Sequence, residues 1–137
     1  MSFSSSDLYS ISVIVIGYNV QKYIERCLIS VFNQKYDEYE VIFVNDGSTD
    51  KTSQIVKNVD NKNIPFRIID KENGGIISAR KAGVRVAQGN YIVFVDGDDS
   101  IRPNMLFDFV ESIKEYGNNF DIVVADYLKR DLEKNGY

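Results

Sequence analysis

The sequence predicts an α/β domain, a mostly parallel sheet with helices on both of its faces. Two observations carry this prediction. Short runs rich in β-branched and aromatic residues alternate with stretches of helical periodicity, strand then helix, along the chain. Those strand-like runs are apolar at nearly every position instead of at every second one, as in a sheet buried on both sides. The connections are short, and no repeat, linker or low-complexity segment interrupts the pattern. Parallel strands joined by helical crossovers satisfy both observations.

The elements follow in order. Ile11 to Ile16 (I-S-V-I-V-I) is a strand that ends in Gly17-Tyr18-Asn19. Ile24, Cys27, Leu28 and Val31 fall at i, i+3, i+4 and i+7, one face of a helix from about Val20 to Asn33. Glu40 to Val44 is the second strand, followed by the polar loop Asn45-Asp46-Gly47-Ser48-Thr49-Asp50. Ile55, Val56 and Val59 mark a short helix capped by Thr49 or Asp50. Pro65 to Ile69 is a weaker third strand, and Asn73-Gly74-Gly75 turns into a helix from about Ile76 to Ala87. Tyr91 to Val95 is the fourth strand. Pro103 in a first turn opens a helix with Leu106, Phe109, Val110 and Ile113 inward, stopped at Gly117. Phe120 to Ala125 reads as a fifth strand, and the polar stretch from Tyr127 to Tyr137 is left unassigned.

Composition narrows the function. A chain of 137 residues makes one domain at most, large enough for a real core. A net charge of −4 with no basic stripe argues against nucleic acid or an anionic membrane as partner. With no His and one Cys there is no zinc site, no imidazole base and no internal disulfide. Cys27 lies among apolar helix positions and reads as a buried thiol. Residues 1–10 are Ser-rich, without a basic start or an apolar run, and read as a disordered tail, not a signal peptide. No apolar stretch approaches membrane-spanning length, so the expected location is the cytoplasm, at the inner face of the membrane in a longer parent.

In parallel sheets, ligands bind outside the carboxyl ends of the strands. Those ends carry Tyr18-Asn19, Asp46-Gly47-Ser48, Asn73-Gly74-Gly75 and Asp96-Gly97-Asp98-Asp99, and four such loops on one rim make a pocket. The G-x-G-x-x-G of dinucleotide binding and the G-x-x-x-x-G-K-[ST] of P-loops are absent. An EF-hand fails because Ile101 and Phe107 stand where its loop needs Gly and Glu. What survives is an aromatic and a carboxylate on the first two strands and an acid cluster on the fourth. A ring stacks on a base, and a carboxylate accepts from a base N–H. Oxygen ligands on a short turn suit Mg²⁺ or Mn²⁺ neutralising a diphosphate. The inferred ligand is a nucleotide diphosphate with a divalent cation.

The strings I-S-V-I-V-I-G-Y-N, V-N-D-G-S-T-D, E-N-G-G-I-I-S-A-R-K-A-G and Y-I-V-F-V-D-G-D-D, in this order and spacing, resemble the nucleotide-sugar half of family-2 glycosyltransferases with the Rossmann-like GT-A fold. The resemblance covers about residues 11–125, and its four strings in register are highly specific. It implies a donor site in which Tyr18 contacts the base and Asp46 its imide N–H, with backbone contacts from Ile16 and close approach at Gly75 and Gly97. Arg80 would lie near the diphosphate. Asp96-Gly97-Asp98 would be the D-x-D, with Asp98 the principal metal ligand and Asp96 towards ribose or sugar. Asp99 is expected as a supporting group or helix cap. The implied chemistry is an inverting single displacement by an acceptor hydroxyl on a nucleotide-diphosphate sugar, in cell-surface polysaccharide synthesis. The acceptor would be a saccharide or a lipid-linked saccharide. The chain departs from the family pattern at Ile16, where Pro is usual, at Lys81, where Asn is usual, and at Asn45, which replaces a common acid.

In that family the general base lies beyond the D-x-D half, so it is expected beyond Tyr137; Asp121, Asp126 and Asp131 do not stand where it is expected. The expected organisation is a tail over 1–10, a nucleotide-sugar domain over 11–126, and the start of a second half over 127–137. Such a fragment is expected to bind nucleotide diphosphate weakly and to transfer no sugar, and its uncovered apolar surface makes a homodimer a fair expectation. Two other classes stay in view: a non-catalytic nucleotide-sugar binding module, and a nucleotidyltransferase-like domain, which would want a Gly- and Lys/Arg-rich loop after the first strand. Uracil or thymine is favoured over cytosine, and guanine stays open.

Overall fold

The structure is a computed structural model that describes residues 8–116. Its elements are β1 (Ile11–Gly17), α1 (Ile24–Phe32), β2 (Tyr39–Asp46), α2 (Thr52–Asn58), β3 (Phe66–Lys71), α3 (Ile76–Val86), β4 (Tyr91–Asp96) and α4 (Met105–Tyr116). The strands form one parallel sheet in the order β3-β2-β1-β4. The chain moves outward from β1 to β3, then crosses back through α3 to place β4 on the other side of β1.

Because neighbouring residues of a strand face opposite ways, the sheet sorts its apolar residues into two cores. Val13, Val15, Val41, Phe43, Val93 and Val95 meet α1, α2 and α4. Ile14, Ile16, Ile42 and Val44 meet α3 through Ala79, with Ala82, Val86 and Phe94 around them. All of β1 and β2 is buried, which is why these strands read as continuous apolar runs. Each such side chain contributes about 1.5–3 kcal/mol on burial. α3 lies close to the sheet: a Cβ at Gly83 would sit 2.5 Å from Ile14 Cγ2.

Several boundaries differ from the sequence expectation. α1 begins at Ile24, not Val20, because the Val20 N–H is taken by Thr52 Oγ1 (2.9 Å) and the Val20 carbonyl closes a turn with the Tyr23 and Ile24 amides. α4 begins at Met105, two residues past Pro103. Its entry is set by Gln34, a side chain far away in sequence, whose Oε1 accepts the Leu106 N–H (3.0 Å) while its Nε2 donates to the Arg102 carbonyl (2.7 Å). β3 starts at Phe66, and Pro65 contributes only its carbonyl, to Val41 N–H. At α2 it is Asp50, not Thr49, that accepts the Thr52 N–H, from one residue before the N-cap Lys51. Ser10, placed in the tail expected over residues 1–10, is buried: its Oγ accepts from the Asn90 amide and its carbonyl from the Tyr91 amide. The expected fifth strand, the stop at Gly117 and the aspartates Asp121, Asp126 and Asp131 lie outside the described residues.

The two ends of the sheet differ. At the amino end, buried Glu40 accepts from Ser12 Oγ (2.6 Å) and the Gln88 amide (2.6 Å), and Ser12 Oγ accepts from the Gly89 amide (2.8 Å). That knot ties β1, β2 and the α3–β4 turn together and closes the edge. The carboxyl end carries the loops singled out above. Among the described residues, no helix is long and apolar enough to cross a membrane.

Candidate functional site

β2 and β4 end one residue or more later than expected, on Asp46 and Asp96 themselves. Both aspartates are therefore held by the sheet, not by free loops. Ile16 of β1 pairs with Val44 on one side and Asp96 on the other. The strands of β2 and β4 flank β1, so Asp46 and Asp96 stand about 10 Å apart laterally, two strand spacings. Alternation puts both on the α3 face, in line with Val44 and Phe94 respectively.

Asp46 is 4 % exposed and both oxygens of its carboxylate are engaged. Oδ1 accepts from Lys71 Nζ (3.0 Å) and the Gly74 amide (3.0 Å), and Oδ2 accepts from the Gly75 amide (3.1 Å). Burial pushes this acid up, but the Gly74 amide, Lys71 and the Gly75 amide together hold it below the ordinary carboxylate value. Asn73 Nδ2 also donates to the Asp46 carbonyl (3.0 Å). Asp46 thereby folds the β3–α3 loop around itself. Gly75 has φ +91°, a conformation open to glycine, as it enters α3.

Across β1, the carboxylate oxygens of Asp96, Asp98 and Asp99 lie within 4.8 Å of one another. Asp96 and Asp98 are exposed, whereas Asp99 is 5 % exposed. Burial first, then the charges of Asp98 and Asp96, push Asp99 up to about 6. Burial and then Asp98 raise Asp96, and Arg80 opposes them. The Gly97 amide donates to the Ile16 carbonyl (2.7 Å), fastening the turn to β1. A Cβ at Gly97 would come 3.0 Å from that oxygen. Three hard oxygen donors that repel one another at this spacing fit a divalent cation of the Mg²⁺ or Mn²⁺ kind. Asp99 does not cap α4, which starts at Met105 with Gln34 at its entry.

Tyr18 is 49 % exposed at the end of β1. Arg80 projects from α3 with its guanidinium 5.1 Å from the centre of the Phe94 ring, one residue before β4 Val95 and two before Asp96. Lys81 is exposed on the outer side of α3, beside a shallow groove lined by Ile77, Arg80, Val84 and Arg85. Cys27 is buried, its thiol 3.6 Å from the Asp96 carbonyl, and burial followed by the three aspartate charges pushes its ionisation far up. It is not a nucleophile.

Ile16, Tyr18, Asp46, Gly75, Arg80, Asp96, Gly97 and Asp98 thus stand at the carboxyl edge of the sheet, Asp46 and Asp96 on the α3 face and Gly97 on the α1 side, near Ile24 and Val20. Two contributors were missed in the sequence. Lys71 neutralises Asp46, and nothing in its local pattern distinguishes it from a solvated lysine closing β3. The polar residues of the β1–α1 and β2–α2 loops bond to one another: Asn19 Oδ1 accepts from the Thr49 and Asp50 amides, and Gln21 Oε1 from the Lys51 amide. Their density of Asn, Ser, Thr and Asp was the available signal.

A parallel sheet with a cluster of three aspartates and a half-exposed aromatic at its carboxyl edge defines an α/β domain whose candidate ligand site lies at that edge. The chain belongs to glycosyl transferase family 2, whose family model matches residues 12–137. It is similar to an uncharacterized glycosyltransferase, EpsJ, of Bacillus subtilis, with 36% identity over 127 residues, 93% of this chain and 36% of that protein. It is likewise similar to the chondroitin synthase of Pasteurella multocida, with 42% identity over 127 residues, 92% of this chain and 13% of that protein. The chain therefore spans about a third or less of the length of these two relatives. Among solved structures, residues 1–349 of TarS from S. aureus in complex with UDP-GlcNAc superpose with a TM-score of 0.71 at 32% identity, over 84% of this chain and 37% of that one. The mannosyltransferase PcManGT from Pyrobaculum calidifontis, in complex with GDP-Man and Mn²⁺, gives 0.71 at 28% identity, over 75% and 32%. The fold is that of a GT-A domain, as the sequence strings implied.

Proposed function

We propose that this domain binds the donor of an inverting glycosyltransferase, a nucleotide-diphosphate sugar of the UDP type, for transfer to a saccharide or lipid-linked acceptor in cell-surface polysaccharide synthesis. The observation that carries the reading is Asp46 on one side of β1 and the Asp96–Asp98–Asp99 cluster on the other, at the same end of the sheet, with the Arg80 charge bearing on Asp96. Relatives solved with UDP-GlcNAc and with GDP-Man and Mn²⁺ support it, and a chondroitin synthase among the relatives supports the polysaccharide context.

In this reading Tyr18 stacks on the base, and the Ile16 and Gly97 backbones line the floor beneath the ribose. An ionised carboxylate has about four acceptor positions, and an ammonium has three donors. Asp46 has used three of its positions, and Lys71 Nζ two of its donors, on Asp46 and the Glu72 carbonyl. What remains is one acceptor beside one donor. That pair matches the imide edge of uracil, a ring N–H beside a carbonyl, and also the N–H and carbonyl of guanine. Cytosine's ring nitrogen carries no hydrogen for the carboxylate to accept, so it is disfavoured. Gly75 leaves room at the start of α3, and Arg80 reaches the diphosphate.

Asp98 and Asp96 would hold a Mn²⁺ or Mg²⁺ ion, which when bound supplies positive charge against the diphosphate. Asp99, more buried, orients the other two. These 137 residues by themselves are proposed to bind donor without transferring its sugar, and to self-associate through uncovered apolar surface. The test is calorimetric titration of UDP, GDP and CDP with and without Mn²⁺. UDP should bind, more tightly with Mn²⁺, and Asp98→Ala should remove the Mn²⁺ dependence. CDP binding as tightly as UDP, or UDP binding indifferent to both Mn²⁺ and Asp98, would sink the reading.

A further inference from the structure

The β1–α1 loop that carries Tyr18 is joined to the β2–α2 loop by a ladder of bonds in which side chains of each loop serve the backbone of the other. Asn19 is its central rung. Its backbone amide donates to Ser48 Oγ (3.0 Å), and its Oδ1 accepts from the Thr49 amide (2.8 Å), the Asp50 amide (3.3 Å) and Thr49 Oγ1 (3.4 Å). Val20 N–H donates to Thr52 Oγ1 (2.9 Å), and Gln21 N–H to Asp50 Oδ2 (3.3 Å). The Lys51 amide answers with a bond to Gln21 Oε1 (3.0 Å).

Tyr18 sits between two anchored neighbours. Before it, Gly17 is in register with Asn45, buried against Phe43. After it, Asn19 holds φ at +52°, a left-handed conformation that Asn tolerates better than other residues with a Cβ. Reversing the chain there and bonding both the amide and the side chain of Asn19 to the neighbouring loop leaves the Tyr18 backbone little freedom. The ring itself stays half exposed. The ladder thus fixes the backbone of Tyr18, whose ring projects at this rim, while engaging none of the ring.

We propose that Asn19 is a positioning residue for Tyr18: by bolting the two loops together it holds the Tyr18 backbone where the ring can meet the nucleobase of the donor. The inference rests on the donor-site reading above and goes beyond it by assigning a residue that touches no ligand. A loop backbone ordered before binding loses less freedom when the base arrives, so affinity for the base portion rises without any new contact.

The test compares two probes, UDP with Mn²⁺ and inorganic pyrophosphate with Mn²⁺, titrated into the 137-residue chain and its variants. Asn19→Gly keeps the positive φ and deletes the acceptor. It should weaken UDP about fivefold to tenfold and leave pyrophosphate within about twofold. Asn19→Asp retains an acceptor for the Thr49 and Asp50 amides and should restore most of the UDP affinity. Tyr18→Ala should weaken UDP at least as much as Asn19→Gly does, and the double variant should be no weaker than Tyr18→Ala alone, since Asn19 acts only through the ring. Where Asn19→Gly does not fold, Ser48→Ala, which removes the acceptor of the Asn19 amide, reads the same selective loss. Equal weakening of UDP and pyrophosphate would mark Asn19 as general scaffolding and overturn the inference. So would unchanged UDP affinity in Asn19→Gly when Tyr18→Ala is impaired. Failure of the unmodified chain to bind UDP at all would overturn the donor-site reading, and the inference with it.

Discussion

Replacing Asp46 by Asn tests the centre of the site, because it changes one charge and almost no volume. The carboxylate is 4 % exposed and accepts three bonds, from Lys71 Nζ and the Gly74 and Gly75 amides. An Asn side chain offers one oxygen and one NH₂, so whichever way it turns, a donor faces a donor. One bond is lost outright and the Lys71 ion pair is lost with it. Hydrogen bonds to charged groups contribute about 1.5–3 kcal/mol each, and a neutral replacement about half of that. The Lys71 side chain is 20% exposed and recovers part of its hydration, which trims the loss. The expected cost is about 2–3 kcal/mol, read as a lower urea midpoint at unchanged slope. Lys71→Met should couple to Asp46→Asn in a double-mutant cycle by about 1 kcal/mol.

The pH dependence gives a second reading of the same group. Asp46 titrates in the native state below its ordinary value of 3.8. In the window beneath that value the unfolded chain binds the extra proton first, so stability rises with pH there. The advantage over Asp46→Asn is then fully present above about pH 5 and shrinks as pH falls through the native value. Equal stability of the two proteins at neutral pH would refute the clamp. So would a difference that persists unchanged into strong acid.

Gly83→Ala opposes two effects. Removing a helical glycine gains about 1 kcal/mol, but the new methyl meets Ile14 Cγ2 at 2.5 Å, and Ile14 is stiff and fully buried. Overpacking costs about 1–3 kcal/mol, so net destabilisation is expected in urea unfolding, and a stabilised variant would contradict the close seating of α3. Asp99→Asn concerns the acid held up near 6. A native value above the ordinary one means the folded state keeps its proton longer, so without metal the chain loses stability as pH rises through about 6. Melting temperatures of the unmodified chain should fall across that interval, and those of Asp99→Asn should fall less. Tyr39→Phe removes the bond from a buried hydroxyl to the Val31 carbonyl (2.8 Å), one of the last-turn carbonyls of α1. It should lower stability by about 1 kcal/mol without altering UDP affinity, since Tyr39 lies at the amino end of β2, opposite the site.

The alternation of apolar strands and periodic helices was legible because burial on both faces leaves its mark at every position of β1 and β2. The acids after Val95 and the tyrosine after Gly17 were legible as chemistry, because charged and aromatic residues next to a buried strand need a reason to be there. Parallel strands then require those groups to share one edge. The start of α3 at Ile76 was legible, but two other helix starts were not. α1 and α4 begin where Thr52 and Gln34, distant in sequence, take up backbone groups at their entries. The occupied state of Asp46 was equally hidden, since Lys71 and Gly74 reach it only after β2 and β3 have paired in register. Local pattern by itself thus determined which residues are apolar, which are charged and what period they follow. Which polar atom satisfies which other was decided by the tertiary structure, because a hydrogen bond depends on distance in space and leaves no periodic trace along the chain.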